Sequence, residues 1–332
     1  MKEEKNIRLS IIIPFYNVEQ YISMCLDSVY QQDIPEEEYE VICVNDASPD
    51  GSREIVKEYQ KKHKNLILVE HEVNKKLGAA RNTGRKIAKG TYIWNVDSDD
   101  MVVPNCLNEL LTESERDELD VLVFTYRNII GDRIQDETPE SVIPETFCIS
   151  GKNFIKQYGA DYIHVISPVW KQLFRRQYLD ENAIYSLEIN MSEDVPYTFN
   201  AIARANRLRV IEQPYYLYRI NPQSIGGQMA KTPSAIAAYE SCFLVSRELF
   251  RLADEMKKEA VSVGKTIQNV GVWCFYLYRK YYAGMSKEQK ERFLQLVRKN
   301  FFSNSDVLLH IGRKKCMEYF RFTLCGVVKD SK

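Results

Sequence analysis

Along the first 126 residues the chain keeps two rhythms: short unbroken apolar runs, and stretches in which apolar residues return every third or fourth position. The run LSIIIP (residues 9–14) reads as a strand buried on both faces, EVICVND (40–46) as a second buried strand, and LILVE (66–70), TYIWNV (91–96) and DVLVFTY (120–126) as three more strands. Between the first two, Val18, Tyr21, Ile22, Cys25, Leu26 and Val29 recur at helical spacing, with Asn17 placed as the N-cap. Residues 50–63 predict a second helix with Ile55, Val56 and Tyr59 inward. Residues 78–89 predict a third, built of small residues and ended by Gly90, and Pro104 is placed at the first position of a fourth.

Strand and helix in alternation predict an α/β fold: a mostly parallel sheet flanked by helices, joined by right-handed crossovers. Such sheets bind ligands outside the carboxyl ends of their strands. Polar segments stand at those ends here: Pro14–Asn17 after the first strand, Asn45–Ser48 after the second, Asp97–Asp100 after the fourth. Residues 127–150 read as a meander or hairpin. Residues 151–224 are mixed, with a helix over 192–204 and strands near 207–220. NPQSIGGQ (221–228) reads as a mobile turn-rich loop, and beyond about residue 233 the pattern is helical. The expected organisation is an α/β domain over 1–228 and a C-terminal helical region over 229–332.

Composition narrows the classes. A net charge of −1 over 332 residues gives no general pull toward nucleic acid. From Arg279 onward thirteen Lys/Arg stand against five Asp/Glu, a balance that suits either a solvated basic face or peripheral contact with an anionic membrane, at about 1 kcal/mol per well-placed cation. Eight cysteines without a C-x-x-C pair fit buried thiols of a reducing compartment. The start MKEEKNIRLS has no apolar core of a signal peptide, and no run of ~18 apolar residues occurs. The expected location is cytoplasmic, with the inner membrane face left open, and oligomerisation is left open too.

The chemistry-bearing segments follow the strands. NVDSDD (95–100) sets three carboxylates within four residues, a hard-oxygen set suited to Mg²⁺ or Mn²⁺ bound with two phosphates. The same residues could equally be an acidic turn before Pro104. Asp46, at the end of the second strand, can accept from the edge of a base, with Ser48 and Asp50 shaping the turn, or simply cap the loop. Arg81 and Asn82 lie on the helix of small residues, where an arginine fork can reach phosphate or uracil. No G-K-[ST] and no G-x-G-x-x-G is present there. His63, His71, His164 and His310 show no metal-ligand spacing and read as surface or satisfied core.

Taken together, SIIIPFYNVEQYI, VICVNDASPDGS, NKKLGAARNTGRKIAKGTYIWNVDSDD and SEDVPYTFN closely resemble the family 2 glycosyltransferases of the GT-A fold, over about residues 8–225 and in the right order. The resemblance implies transfer of a sugar from a nucleotide-diphosphate sugar, with UDP the expected nucleotide, to a hydroxyl of a glycan or lipid-linked acceptor in surface-polysaccharide assembly. It implies that Pro14, Tyr16, Asn17, Glu19 and Asp46 hold the nucleoside, beside Ser48, and that Asp97 and Asp99 form the D-x-D pair, Asp99 being the direct metal ligand. It places the catalytic base at Asp194, next to Glu193. Ala47 and Pro49 depart from the usual V-N-D-G-S-T-D pattern but leave Asp46, Ser48 and Asp50 intact. PVWKQLFRR (168–176) resembles a segment flanking the acceptor, so that Trp170 could stack on a sugar, or be plain core, and Lys171 could touch phosphate. YYLYRINPQSI (215–225) makes Arg219 a diphosphate contact. Displacement in one step would invert the anomeric configuration.

Two other classes compete. A nucleotidyltransferase of related fold needs a Gly- and Arg-rich loop after the first strand, and PFYNVEQ is not one. A non-catalytic scaffold would have lost carboxylates, yet Asp46, Asp97, Asp99 and Asp194 are all present.

Overall fold

The computed structural model describes residues 7–131, 133–135, 145–158, 167–189, 191–221, 235–276, 286–300 and 310. They fall into two compact units, Met1–Ile189 with Glu193–Ile220, and Asn190–Ser192 with Asn221–Lys332. The first unit therefore ends eight residues before the boundary expected from sequence (228 against 220). The turn-rich segment 222–228 and most of the basic stretch after Arg279 lie outside the described residues.

The first unit is built on one nine-stranded sheet. Its strands are β1 (Leu9–Phe15), β2 (Tyr39–Asn45), β3 (Leu66–Glu70), β4 (Tyr92–Asn95), β5 (Met101–Val102), β6 (Val121–Ile130), β7 (Arg133–Ile134), β8 (Gln172–Arg175) and β9 (Leu208–Arg219). The order across the sheet is β3-β2-β1-β4-β8-β6-β9-β5, with β7 hairpinned onto β6. Every residue of β1 and β2 is buried, as unbroken apolar runs covered on both faces require.

The expectation of a mostly parallel sheet holds for six of the nine strands, while β5, β7 and β8 run the other way. β1, β2, β3, β4, β6 and β9 run one way, but the short β8 is inserted antiparallel between β4 and β6. Its sequence, QLFR, sets only Leu173 and Phe174 between two polar residues, too short an apolar run to mark a strand. β9 is one continuous twelve-residue strand. Pro214 opposes Thr125 at a register shift, where a residue without an N–H has to sit.

The helices of this unit are α1 (Ile22–Tyr30), α2 (Ser52–Lys62), α3 (Leu77–Ile87), α4 (Leu107–Arg116), α5 (Gly151–Tyr158), α6 (Arg176–Glu181) and α7 (Asp194–Arg204). Two expected caps are corrected. Asn17 is exposed with φ +55° and donates its N–H to Ser48 Oγ at 2.8 Å, and α1 starts five residues later. Pro104 lies before α4, whose first N–H groups are met from across the chain: Gln32 Oε1 accepts from Cys106 and Asp33 Oδ1 from Asn108, both at 3.0 Å. A helix start satisfied from another segment leaves no local signature.

Helix α3 lies flush on the sheet. A Cβ on Gly84 would stand 2.5 Å from Ile12 Cγ2 on β1, so only glycine permits that approach, and the small residues before it follow the same demand. The second unit is helical throughout its described part: α8 (Ala235–Glu259), α9 (Val261–Tyr276) and α10 (Lys287–Asn300). Helices α8 and α9 form a hairpin around Ala260, with Leu249, Phe250, Ala253 and Met256 buried on one and Val263, Ile267 and Val270 on the other. No described helix is long and apolar enough to cross a membrane.

Candidate active site

The polar loops gather where the sequence reading placed them, beyond the carboxyl ends of β1, β2 and β4. The first two are laced together. Ser48 Oγ accepts from Asn17 N and donates to Asp50 Oδ1 at 2.6 Å, Asp50 Oδ2 accepts from Glu19 N at 2.8 Å, and Glu19 Oε2 accepts from Gly51 N at 3.0 Å. Glu19 and Ser48 thus shape this rim through bonds within the protein. Pro14 is buried in β1, while the Tyr16 ring is half exposed, an apolar face at the mouth of the β1–β2 crevice.

Asp46 is buried, and its carboxylate already accepts several bonds. Oδ1 meets His71 Nδ1 at 2.7 Å and the Lys75 N–H at 2.8 Å, and Oδ2 meets the Lys76 N–H at 2.9 Å. His71 Nε2 in turn lies 2.9 Å from Thr83 Oγ1 on α3. Within the protein, the Asp46 carboxylate pins the 74–76 loop that leads into α3. Burial of two bonded partners explains why His71 reads as satisfied core. Asn82 pairs both ends of its amide with the Ser186 main chain at 2.9 Å.

Arg81, one helical position earlier, is the hub. It is buried, and it donates through Nη2 to Asp97 Oδ1 at 2.8 Å and through Nη1 to Glu193 Oε1 at 2.6 Å. Burial works against its charge, but Asp97 and Glu193 outweigh that and hold its pKa above the ordinary value. The close approach is built into the sequence at Gly78, where a Cβ would stand 2.0 Å from the Leu187 carbonyl. Expected as a phosphate or uracil contact, Arg81 here joins the D-x-D turn after β4 to the acidic segment that opens α7.

That turn is clamped from β9. The Tyr216 hydroxyl accepts from Asp97 N at 3.1 Å and donates to Asp100 Oδ2 at 2.8 Å, while Asp100 Oδ1 accepts from Arg219 N at 2.7 Å. Burial, then the charges of Asp99 and Asp97, push the Asp100 carboxyl well above the usual carboxylate range. Arg219, expected as a diphosphate contact, lies against the same turn. Its guanidinium donates to the Asp99 carbonyl at 3.0 Å and the Gly131 carbonyl at 3.1 Å, beneath the turn. Asp100 and Tyr216 were missed as a pair, because a hydroxyl–carboxylate bond between distant segments carries no spacing signal.

Asp194 begins α7, with Glu193 in the N-cap place and Ser192 at φ +57°. No side-chain cap bond closes the start of this helix. Burial and the neighbouring Glu193, opposed by Arg81, push the Asp194 carboxyl up to about 7, a suitable range for a general base at neutral pH. Trp170 is core: it stacks on Tyr216 at 4.4 Å and on Tyr218 at 5.3 Å, and Tyr126 meets it edge-on at 4.9 Å. Lys171, beside it, is buried against the Tyr126 ring.

The donor set suits a divalent cation held jointly with a ligand. Asp97 commits Oδ1 to Arg81 while Oδ2 carries no protein donor among the described residues, and Asp99 is half-buried at the same turn. The described residues contain no closed group of three acidic, histidine or cysteine ligands. One or two carboxylates completed by water and phosphate is the usual mode for Mg²⁺.

A sheet with its polar loops at one carboxyl edge and an acid turn after its central strand defines a nucleotide-diphospho-sugar transferase fold of the GT-A class, and comparison with known proteins agrees. Residues 10–181 match the model of glycosyl transferase family 2, and the chain belongs to that family. It is 34% identical over 219 residues to the uncharacterized glycosyltransferase EpsJ of Bacillus subtilis, covering 65% of this chain and 62% of that protein. It is 33% identical over 246 residues to a poly(ribitol-phosphate) beta-glucosyltransferase of Bacillus spizizenii, covering 70% of this chain but 37% of that protein. Among solved structures, S. aureus TarS 1–349 in complex with UDP-GlcNAc superposes with a TM-score of 0.69 at 24% identity, covering 95% of this chain and 90% of that one. That likeness speaks to the fold.

Proposed function

We propose that this protein is an inverting glycosyltransferase that moves a sugar from a UDP-sugar to a hydroxyl of a glycan or polyol-phosphate acceptor in surface-polymer assembly. The observation that carries the reading is the Arg81 bridge, which brings the D-x-D turn and the Glu193–Asp194 pair, far apart in sequence, to one place at the ligand-binding edge of the sheet. Relatives named for beta-glucosyl and beta-N-acetylglucosaminyl transfer to poly(ribitol-phosphate) support the acceptor class.

The nucleoside would lie over the β1–β2 crevice, with Tyr16 against the base and the laced Asn17–Ser48–Asp50 rim fixing the width of the slot. Asp99 and Asp97 would hold Mg²⁺ or Mn²⁺ with the donor diphosphate, the ion supplying positive charge where the leaving phosphate becomes more negative. Asp194 takes the proton of the acceptor hydroxyl as its oxygen bonds to the anomeric carbon, and the bond from that carbon to the diphosphate breaks on the opposite face. Arg81 keeps Glu193 and Asp97 apart from Asp194 chemistry by neutralising them, so that one carboxylate of the cluster is left to accept a proton.

A nucleotidyltransferase reading lacks support, since no Gly- and Arg-rich loop follows β1. A scaffold reading predicts nucleotide binding without turnover. Incubation of the full chain with a panel of nucleotide sugars and Mn²⁺ tests the proposal. Release of UDP from at least one donor, abolished in Asp194→Asn while UDP binding is kept, is the expected result. UDP binding with no turnover of any donor would leave the scaffold.

A further inference from the structure

We propose that Lys171 is the anion-binding element of an acceptor subsite, where its ammonium takes a phosphate oxygen of a phosphorylated polyol. The inference rests on the glycosyl-transfer reading and deepens it by naming the charge that the acceptor carries.

Lys171 ends the short 3-10 turn Val169–Lys171 just before β8 and is 3% exposed. The buried arginines all find oxygen partners: Arg81 has Asp97 and Glu193, Arg85 has Asp180, and Arg219 has two main-chain carbonyls. Among the described buried cations Lys171 alone meets neither a carboxylate nor a carbonyl. The group it approaches is the Tyr126 ring, whose centroid is 5.8 Å from Nζ. A ring face offsets only part of the penalty of burying an ammonium. Burial accordingly pushes the Lys171 pKa down to about 7. A buried ammonium that meets no carboxylate or carbonyl of its own protein is suited to take an anionic oxygen from a ligand.

The surroundings say which ligand. Tyr126 packs edge-on against Trp170, and Trp170 stacks on Tyr216, whose hydroxyl holds the D-x-D turn. Lys171 is thus linked to that turn through three packed rings, Tyr126, Trp170 and Tyr216. Tyr126 and Tyr218 are half-buried, so the wall reaches solvent at its rim. The nucleoside rim follows β1 and β2, on one side of β4 in the sheet, whereas Lys171 precedes β8 and packs toward β6, on the other side. This is the side left for an acceptor once a donor fills the β1–β2 crevice. A phosphate oxygen could also come from the donor diphosphate, and the experiment separates the two sources.

Calorimetry on the full chain with Mn²⁺ supplies the test, using wild type, Lys171→Met and Lys171→Arg. UDP is titrated first; then, on the UDP-saturated protein, sn-glycerol 3-phosphate and glycerol are titrated in turn. We expect UDP affinity unchanged within about twofold, because only the acceptor side is altered. We expect sn-glycerol 3-phosphate, but not glycerol, to bind wild type, to weaken at least about tenfold in Lys171→Met and to recover in part in Lys171→Arg, since a hydrogen bond to a charged group has that worth. Methionine retains the buried stem, so thermal melts no lower than wild type would confirm that the fold is kept. Equal binding of sn-glycerol 3-phosphate by wild type and Lys171→Met, or none by wild type, overturns the subsite. A loss confined to UDP also overturns it, assigning Lys171 to the donor. Failure of UDP to bind any of the three proteins is a different result, and defeats the nucleotide-sugar reading itself.

Discussion

Glu193 and Asp97 share one guanidinium: Arg81 reaches the first at 2.6 Å and the second at 2.8 Å from inside the fold. Both ion pairs are largely removed from water, with Arg81 and Glu193 side chains 5% and 9% exposed. Removing one partner of such a buried set leaves uncompensated charge and typically costs about 3 kcal/mol or more. Arg81→Met is expected to lose about that much stability in chemical denaturation. Adding Glu193→Gln to that variant should restore part of the loss, because the two residues are coupled. Strict additivity of the two substitutions would count against the bridge.

The pH dependence has a defined sign. The folded Asp194 carboxyl titrates at about 7, above its ordinary 3.8. A base must be deprotonated to act, so kcat/KM should rise with pH through about 7 and level off above it. The same shift means that Asp194 favours the folded state most below pH ~4, and that this contribution is lost as pH rises through about 7. Asp194→Asn should lower kcat by roughly 10²- to 10⁴-fold and flatten that part of the stability curve. A pH–rate profile of unchanged shape in a residually active Asp194 variant would assign the proton to another group.

Tyr216→Phe removes one oxygen that serves both Asp97 N and Asp100 Oδ2. Leaving those buried groups unsatisfied is expected to cost about 1–3 kcal/mol. Because the hydroxyl sets the turn rather than touching the sugar, kcat should fall while the pH midpoint near 7 stays in place. A midpoint displaced in step with the loss of rate would give Tyr216 a direct part in proton transfer.

Chelation tests the divalent cation. EDTA should abolish turnover and weaken UDP binding, Mn²⁺ or Mg²⁺ should restore both, and Asp99→Asn should blunt the restoration. UDP affinity indifferent to EDTA in wild type would remove the ion from the proposal.

Much of this architecture was readable in the chain because β1 to β4 carry short apolar runs that alternate with stretches of helical spacing. The site was readable where chemistry follows a strand directly, as at Asp97 and Asp99. It was unreadable where a partner arrives from far away. The Arg81 bridge was hidden because one of its two carboxylate partners, Glu193, lies more than a hundred residues on. Asn82 and Arg219 likewise have partners that no local spacing announces, the Ser186 main chain for one and the Asp99 and Gly131 carbonyls for the other. Asn17 looked like a cap because asparagine suits caps, but it equally suits the left-handed backbone that it adopts.

The loop pinned by Asp46 has a consequence of its own. Lys76 sits at φ 79°, ψ 161°, a region in which residues with a Cβ are strained by about 1–3 kcal/mol. Asp46 and Asn74 grip it by its peptide N–H, not by its exposed side chain. The lysine there is thus dispensable as a lysine, and Lys76→Gly should raise the melting temperature. Proline, which has no N–H to offer, should release the entrance to α3 and with it the helix that carries Arg81.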